Sequence, residues 1–286
     1  MATLRDIKRK INSVRSTQTI TRTMKMVSAS KLRRAQEGLE NFRAYAVNIE
    51  ELAKKAIAAA DRDEHLLLKE KEDQKRVLIF SIGSDRGLCG GFNVNIALHT
   101  ENFIAQNKDI YERISAYIIG RKVRDHLARR RVDVIKSWVD VKRIEQEMID
   151  EIASDLISFY INGEFDKIYL VYTDFISPVR HVVRFEEFIP LIAAPVTEGS
   201  EYLYEPEKEA VIEALIQKYI NTKIYYAILD SQTSEHSARM NSMENATNNC
   251  SEMMSQLTLV YNKRRQEGIT TEMMDIVGGA EALRGR

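Results

Sequence analysis

Hydrophobic residues recur at alternating intervals of three and four positions along the first sixty residues of the chain. Counted from the fourth residue, thirteen of the seventeen positions in this series are apolar. An apolar stripe of this length is typical of a helix that packs against a second long helix. The four polar positions are consecutive, from Gln18 to Ser28, and Ile20, Met24 and Val27 stand one place earlier. We interpret this as a local shift of the stripe rather than the end of the helix.

The C-terminal part of the chain repeats this spacing at Met240, Met243, Thr247, Cys250, Met254, Leu257 and Tyr261. No glycine or proline occurs between residues 207 and 267, which favours one long helix. After a break at Gly268 the stripe resumes at Met273 and Ile276, and Thr270 or Thr271 could cap a restarted helix. If the two terminal helices pair, they must be antiparallel, because one enters the central region and the other leaves it. The alternative, two separate surface helices on a globular body, is less favoured because long helices need packing to persist.

The central region alternates short apolar runs with amphipathic segments. The runs predict strands at 76–82, 113–120, 132–138, 166–175 and 180–190, and the segments predict helices at 92–107, 120–130 and 143–161. Such alternation is typical of a mostly parallel sheet with helices on its faces. The predicted fold is a long antiparallel coiled coil of the N- and C-terminal helices with a central Rossmann-like α/β domain. Its expected parts are an N-terminal helix in 1–75, the α/β domain in 76–200 and the C-terminal helix in 201–286.

Composition narrows the class of protein only slightly. Hydrophobic residues make up 44% of the chain, and 42 Lys and Arg balance 42 Asp and Glu. This composition excludes a wholly disordered chain, and no run of apolar residues is long enough for a transmembrane helix. Two cysteines do not form a disulfide framework, so a reducing, cytosolic setting is expected.

A glycine-rich loop, residues 83–93, lies between a predicted strand and a predicted helix, where doubly wound folds bind phosphate. Neither the dinucleotide-binding spacing nor the P-loop spacing is present, and Asp85 would repel phosphate. A tight turn is the favoured interpretation. Cys89 in this loop could be a nucleophile only if a histidine lies beside it. The sequence therefore predicts no catalytic residue, no cofactor and no metal, and an α/β enzyme that uses this loop remains the alternative.

Residues 1–34 carry ten basic side chains and one acidic side chain, Asp6. The basic residues are Arg5, Lys8, Arg9, Lys10, Arg15, Arg22, Lys25, Lys31, Arg33 and Arg34. Three interpretations compete, namely a solvated face, a surface for an acidic protein partner, and a nucleic-acid site. Nucleic-acid binding usually brings aromatic stacking, and no aromatic residue precedes Phe42. A basic helix with an apolar stripe fits an acidic protein partner better.

Four segments, in order along the whole chain, resemble one family. The most specific is Ile-Thr-x-Glu-x-x-Asp-x-x-x-Gly-Ala-x-Ala at 269–282, and the others are 20–35, 84–93 and 234–247. Together they resemble the γ subunit of the F-type, rotary ATP synthase. The central region has no long cysteine-bearing insertion, and in this respect the chain resembles the bacterial type of the family.

This resemblance implies a non-catalytic rotor shaft. It implies partners in three α and three β subunits, an ε subunit and a ring of c subunits, with no nucleic acid. Membrane association would be indirect, through the c ring, at the cytoplasmic face of the bacterial plasma membrane. Residues that match family contacts to the β subunits are Met24, Lys25, Lys31, Arg33, Arg34, Arg265, Gln266, Thr270 and Glu272. Residues that match the region facing the c ring are Tyr202, Tyr204 and Glu205.

Overall fold

The computed structural model describes residues 3–60, 65–71, 73–141, 143–191, 205 and 207–284, with the main chain alone at residues 59 and 281–284. The chain forms two compact units. Unit 1 consists of Met1–Ser28 and Met240–Arg286, and unit 2 consists of Ala29–Arg239.

The helices follow the predicted segments closely. They are α1 (Leu4–Ala59), α2 (Phe92–Asn107), α3 (Arg121–Arg129), α4 (Gln146–Ile161) and α5 (Lys208–Arg284). The start of α1 is fixed by a reciprocal cap, in which the Asp6 N–H donates to the Thr3 hydroxyl and the Thr3 N–H donates to the Asp6 carboxylate. The predicted break at Gly268 is wrong, because α5 continues through that residue. A single glycine in a helix lowers the stability of the helix by about 1 kcal/mol, which the neighbouring helix-forming residues can offset.

Five strands form one sheet in unit 2. They are β1 (Arg76–Ile82), β2 (Arg113–Ile119), β3 (Asp133–Trp138), β4 (Lys167–Phe175) and β5 (His181–Ile189), in the spatial order β3-β2-β1-β4-β5. The first four strands are parallel, and β5 is antiparallel to β4. The mixed sheet and the terminal helices confirm the predicted fold class.

Helices cover both faces of the sheet. Along β1, Leu78 and Phe80 face one core, which includes α4 and the first part of α5. Val77 and Ile79 face the opposite core, which includes α2 and α3. This alternation with a period of two places every β1 side chain from Val77 onwards in an apolar interior. None of the helices in the described part of the chain combines the length and apolar character needed to cross a bilayer.

Within unit 1, the start of α1 pairs with α5 in the antiparallel sense. Gln18 donates to Ser251, Thr21 contacts Thr247, and Lys25 contacts Glu244. Residue numbers therefore rise along α1 as they fall along α5. From Cys250 to Tyr261 the half-buried positions of α5 are those of its predicted stripe, and between Met240 and Thr247 the neighbouring residues Asn241, Ser242, Glu244 and Ala246 are half-buried as well.

The predicted shift of the stripe on α1 is wrong. Thr21 and Ser28, which keep the original spacing, are 8% and 3% exposed. Ile20 and Val27, at the shifted positions, are 60% and 51% exposed. Helix geometry sets which positions of α1 face the partner helix, so the intervals of three and four residues are kept even where the residues at those positions are polar. Small hydroxyl side chains fit this seam because they can bond a carbonyl of their own helix.

The predicted return of the stripe near the C-terminus is also wrong. Met273 and Ile276 are 63% and 72% exposed. Because α1 begins at Leu4, the antiparallel register leaves no part of α1 to face α5 beyond about residue 265. The last part of α5 is therefore a helix with exposed apolar residues.

Candidate functional site

Three cross-helix contacts form a polar seam between α1 and α5 in unit 1. The hydroxyls of Thr21 and Thr247 are 2.8 Å apart. The Lys25 Nζ lies 2.6 Å from a Glu244 carboxylate oxygen, and both side chains are partly exposed. Such a partly exposed ion pair contributes little to stability, about 0–1 kcal/mol. The seam instead specifies which residues face each other, since hydrogen bonds require defined partners.

The residues of α1 that match β-subunit contacts fall into two groups. Met24 and Lys25 belong to unit 1 and are half-buried, and Lys25 is occupied by its ion pair with Glu244. Lys31, Arg33 and Arg34 belong to unit 2 and are exposed. Arg33 contacts Glu37 one turn further along α1, at 3.1 Å. Their exposure leaves these three side chains accessible to a partner.

The end of α5 presents both polar and apolar side chains. The predicted contact residues Arg265, Gln266, Thr270 and Glu272 are all exposed. The exposed apolar residues beside them are Ile269, Met273, Met274, Ile276 and Val277. A contiguous apolar surface of this kind marks a site of protein interaction. Of the residues predicted to face the c ring, Tyr202 and Tyr204 lie outside the described residues, and Glu205 is exposed.

The glycine-rich loop is closed by its own hydrogen bonds. The Asp85 carboxylate accepts from the N–H of Arg121, 3.0 Å away, at the start of α3, and from the N–H of Val141, 3.2 Å away. The Ser84 N–H donates to the Asn93 amide oxygen at 2.9 Å. The cavity beside this loop has a volume of about 80 Å³. Ligand pockets usually have about 300–1,000 Å³. These features favour the predicted turn over a nucleotide site, because the polar groups of the loop bond to other parts of the protein and the cavity beside it is small.

Cys89 is 2% exposed and lies in the core beside α2. Burial raises the pKa of its thiol. The Asn93 side-chain amide lies 3.2 Å from the sulfur, within the same closed loop. A thiol with a raised pKa is a weak nucleophile at neutral pH, so these contacts favour a packing role for Cys89.

Four side chains of α5 hold the end of β4, and sequence reasoning missed this contact. The Phe175 N–H donates to Asp230 at 2.8 Å, and the Thr173 N–H donates to the Ser231 hydroxyl at 3.0 Å. The Ser234 hydroxyl donates to the Thr173 carbonyl at 3.2 Å. The Ser237 hydroxyl donates to the Pro178 carbonyl at 2.8 Å, in the turn between β4 and β5. We call this set, Asp230, Ser231, Ser234 and Ser237 with their main-chain partners, the α5–β4 joint.

A signal for the joint was present in the sequence. The buried face of α5 has isoleucine at intervals of four from Ile212 to Ile228, and then continues mainly as small polar residues. A polar continuation of an apolar stripe indicates that the helix meets main-chain groups instead of side chains. Further along α5, Arg239 donates to the carbonyls of Arg86 and Gly87, both at 3.2 Å. These bonds attach the glycine-rich loop to the same helix.

The fold and these contacts define a class of protein, in which long N- and C-terminal helices flank a Rossmann-like domain in the order of the chain. A family model described as ATP synthase matches residues 3–283. A gamma chain of the ATP synthase of Moorella thermoacetica is 42% identical over 99% of this chain and 100% of its own length. The gamma chain of Bdellovibrio bacteriovorus is 39% identical, with both chains fully covered.

Solved structures agree with these relatives. A central stalk chain of the Tetrahymena thermophila mitochondrial ATP synthase is similar with a TM-score of 0.63 and 26% identity, over 79% of this chain and 99% of that chain. A chain of the Euglena gracilis mitochondrial ATP synthase has a TM-score of 0.70 over 98% of this chain and 94% of that chain. At 18% identity, this second match supports the fold alone.

The chain belongs to the gamma-chain family of the F-type ATP synthase. It is accordingly a central-stalk rotor subunit of this membrane-associated complex, and catalysis takes place on other subunits.

Proposed function

We propose that this chain transmits torque between a ring of c subunits and the catalytic β subunits. The observation that carries the proposal is the full-length match to gamma chains, together with the similarity to a central stalk described with its c-ring. A rotating subunit can bias three identical β subunits only if it contacts each of them differently at any moment. A single chain without internal symmetry supplies that difference.

The proposed partners are three α and three β subunits, an ε subunit and the c ring. In this arrangement the chain lies at the cytoplasmic face of a bacterial plasma membrane and is held there through the c ring. The division into an N-terminal helix (1–75), an α/β domain (76–200) and a C-terminal helix (201–286) remains a prediction. Tyr202, Tyr204 and Glu205 remain the predicted contacts with polar loops of the c ring.

We assign the β-subunit contacts to two surfaces. The first comprises Met24, Lys25, Lys31, Arg33 and Arg34 on α1. Exposed cations such as Arg33 and Arg34 support electrostatic contacts with acidic loops. Contacts of this kind suit a rotor, because the same surface must leave one β subunit and then contact the next. Long-range attraction between charges does not require the two surfaces to match closely in shape.

The second surface is the end of α5, with Arg265, Gln266, Thr270 and Glu272. These residues are exposed on the helix that continues past the start of α1. The apolar residues Met273 and Ile276 beside them would be covered by partners in the assembled complex.

Composition of the purified complex tests the assembly directly. Native mass spectrometry of the complex from detergent-solubilised membranes should find one copy of this chain with three α and three β subunits. A homo-oligomer of this chain without those partners would contradict the proposal.

The assignment of Met24 is tested by Met24→Lys. A charge placed on a half-buried contact should disturb coupling more than folding. We expect fewer protons pumped per ATP hydrolysed in membrane vesicles, with an unchanged thermal melt of the chain. The matched control is Met26→Lys, which alters an exposed residue two positions along the same helix. Equal pumping per ATP in both variants would count against Met24 as a contact.

A further inference from the structure

The end of β4 needs hydrogen-bond partners that the sheet does not supply. β4 pairs with β1 only as far as Val171, opposite Ser81. It then continues to Phe175, paired on one side with β5. Because main-chain groups of alternate residues point to the same side of a strand, Thr173 and Phe175 present theirs where β1 no longer pairs. Buried main-chain groups left without partners are costly, so another element must satisfy them.

Helix α5 takes the place of the missing strand at the α5–β4 joint. Ser231 accepts from the Thr173 N–H, and Ser234 donates to the Thr173 carbonyl, so one residue of β4 is held by two successive turns of α5. Both serines are at most 2% exposed, and Ser237 is fully buried. These bonds are shielded from water, which makes them stronger and more directional in effect than surface bonds.

The joint differs in kind from the apolar part of the contact between α5 and the sheet domain. Further towards its N-terminus, α5 packs through Ile212, Ile216, Ile220 and Ile224, which are apolar. Apolar packing resists separation but is not directional. Hydrogen bonds weaken steeply when their angle departs from linearity. The joint, together with the bonds from Arg239 to the carbonyls of Arg86 and Gly87, therefore fixes the rotational position of α5 about its own axis.

We propose that Ser231, Ser234 and Ser237 are positioning residues for rotation, which hold α5 at a fixed angle to the sheet while torque passes between them. This inference rests on the proposed function. The serines touch no reacting group, and they act through the main chain of β4 and the following turn. A joint that yields under load would let α5 slip against the sheet within a cycle, so that ATP would be hydrolysed with less proton transport.

The test uses the whole complex in membrane vesicles with Ser231→Ala combined with Ser234→Ala. The control is Thr233→Val, which removes a fully buried hydroxyl whose bond goes to Leu229 in the same helix. Two quantities are measured, the rate of ATP hydrolysis and the ATP-driven proton pumping. We expect the double variant to keep its hydrolysis and to lose pumping per ATP hydrolysed, and the control to match the unmodified complex.

Hydrogen exchange shows whether the joint itself has opened. In the double variant we expect the β4 amides of Thr173 and Phe175 to exchange about tenfold faster, and those of β1 to stay unchanged. Faster exchange at β4 with an unchanged ratio of pumping to hydrolysis would overturn the proposal, because the serines would then be merely structural.

A milder variant decides the outcome if the double variant does not assemble. Ser237→Ala removes one bond, to the turn after β4. Reduced pumping per ATP in an assembled Ser237→Ala complex supports the joint, and a ratio equal to that of Thr233→Val overturns it. Failure of the proposed function would look different, since the unmodified chain would then support no coupled pumping at all.

Discussion

Individual buried side chains in this protein supply hydrogen-bond partners to main-chain groups. Asp230 is 1% exposed and accepts the N–H of Phe175. Burial, and to a lesser extent the nearby Asp174, raise the pKa of this carboxyl, the Phe175 N–H and Arg43 oppose the rise, and the resulting pKa is about 7. The joint thus contains a group that is partly protonated near neutral pH.

Asp230→Asn should change how stability depends on pH. Because the folded state holds this proton more tightly than the unfolded state, Asp230 contributes stability below about pH 4 that is lost as pH rises towards 7. The shift from 3.8 to about 7 corresponds to at most about 4 kcal/mol. Denaturant unfolding at pH 5 and pH 8 should show a smaller loss of stability in Asp230→Asn than in the unmodified chain.

The same experiment includes Asp109→Asn, which neutralises an exposed carboxylate, as the matched control. Burial, with the nearby charges of Arg239 and Lys31, lowers the pKa of His236 to about 4, which adds a pH dependence of opposite sign to both chains. Only the difference between variant and unmodified chain therefore isolates Asp230. Parallel profiles for Asp230→Asn and the unmodified chain would contradict the account.

Gly120→Ala should be strongly destabilising. Gly120 has φ +100°, which L side chains rarely adopt, and an added Cβ would lie 2.6 Å from the main chain of Gly83 and Ser84. Because main-chain atoms cannot move aside as a side chain can, we expect a loss of about 3 kcal/mol or more in unfolding free energy. Thermal or denaturant melts measure this change.

Gly38→Ala is the paired control for this substitution. Gly38 lies inside α1, and nothing lies within 4 Å of an added Cβ. Replacing a helical glycine by alanine should stabilise the chain by about 0.5–1 kcal/mol. If both variants changed stability in the same direction, the assigned cause at Gly120 would be wrong.

Elements of this protein pair through polar as well as apolar positions. The seam of unit 1 keeps its interval of three and four residues through Thr21 and Ser28 and faces Thr247 across the pair. Each threonine hydroxyl also bonds a carbonyl of its own helix, Thr21 to Gln18 and Thr247 to Met243. The seam therefore fixes the register at a small cost in stability.

Replacing both threonines by valine should be nearly neutral. Thr21→Val with Thr247→Val keeps the volume and removes both hydroxyls together, so no buried polar group is left alone. We expect the unfolding free energy to stay within about 1 kcal/mol of the unmodified chain or to rise. A loss above about 2 kcal/mol would mean that the hydroxyl pair itself stabilises the helices.

At the scale of the whole molecule, α1 and α5 each contribute residues to both units. The sequence predicted the two long terminal helices, because long intervals without Gly or Pro and a regular stripe are properties of local sequence. It did not predict the seam or the joint, because apolar character was taken as the measure of burial. Thr21, Ser231 and Ser234 are buried by contacts between residues far apart in the chain, which periodicity does not reveal.

Rotation of this chain against immobilised α and β subunits tests the central claim most directly. A gold rod can be attached through Val179→Cys, at a site that is 87% exposed, with Cys250→Ser removing the half-buried thiol. The account predicts that the rod turns in one direction and only when ATP is present. A stationary rod on complexes that hydrolyse ATP at their normal rate would contradict it.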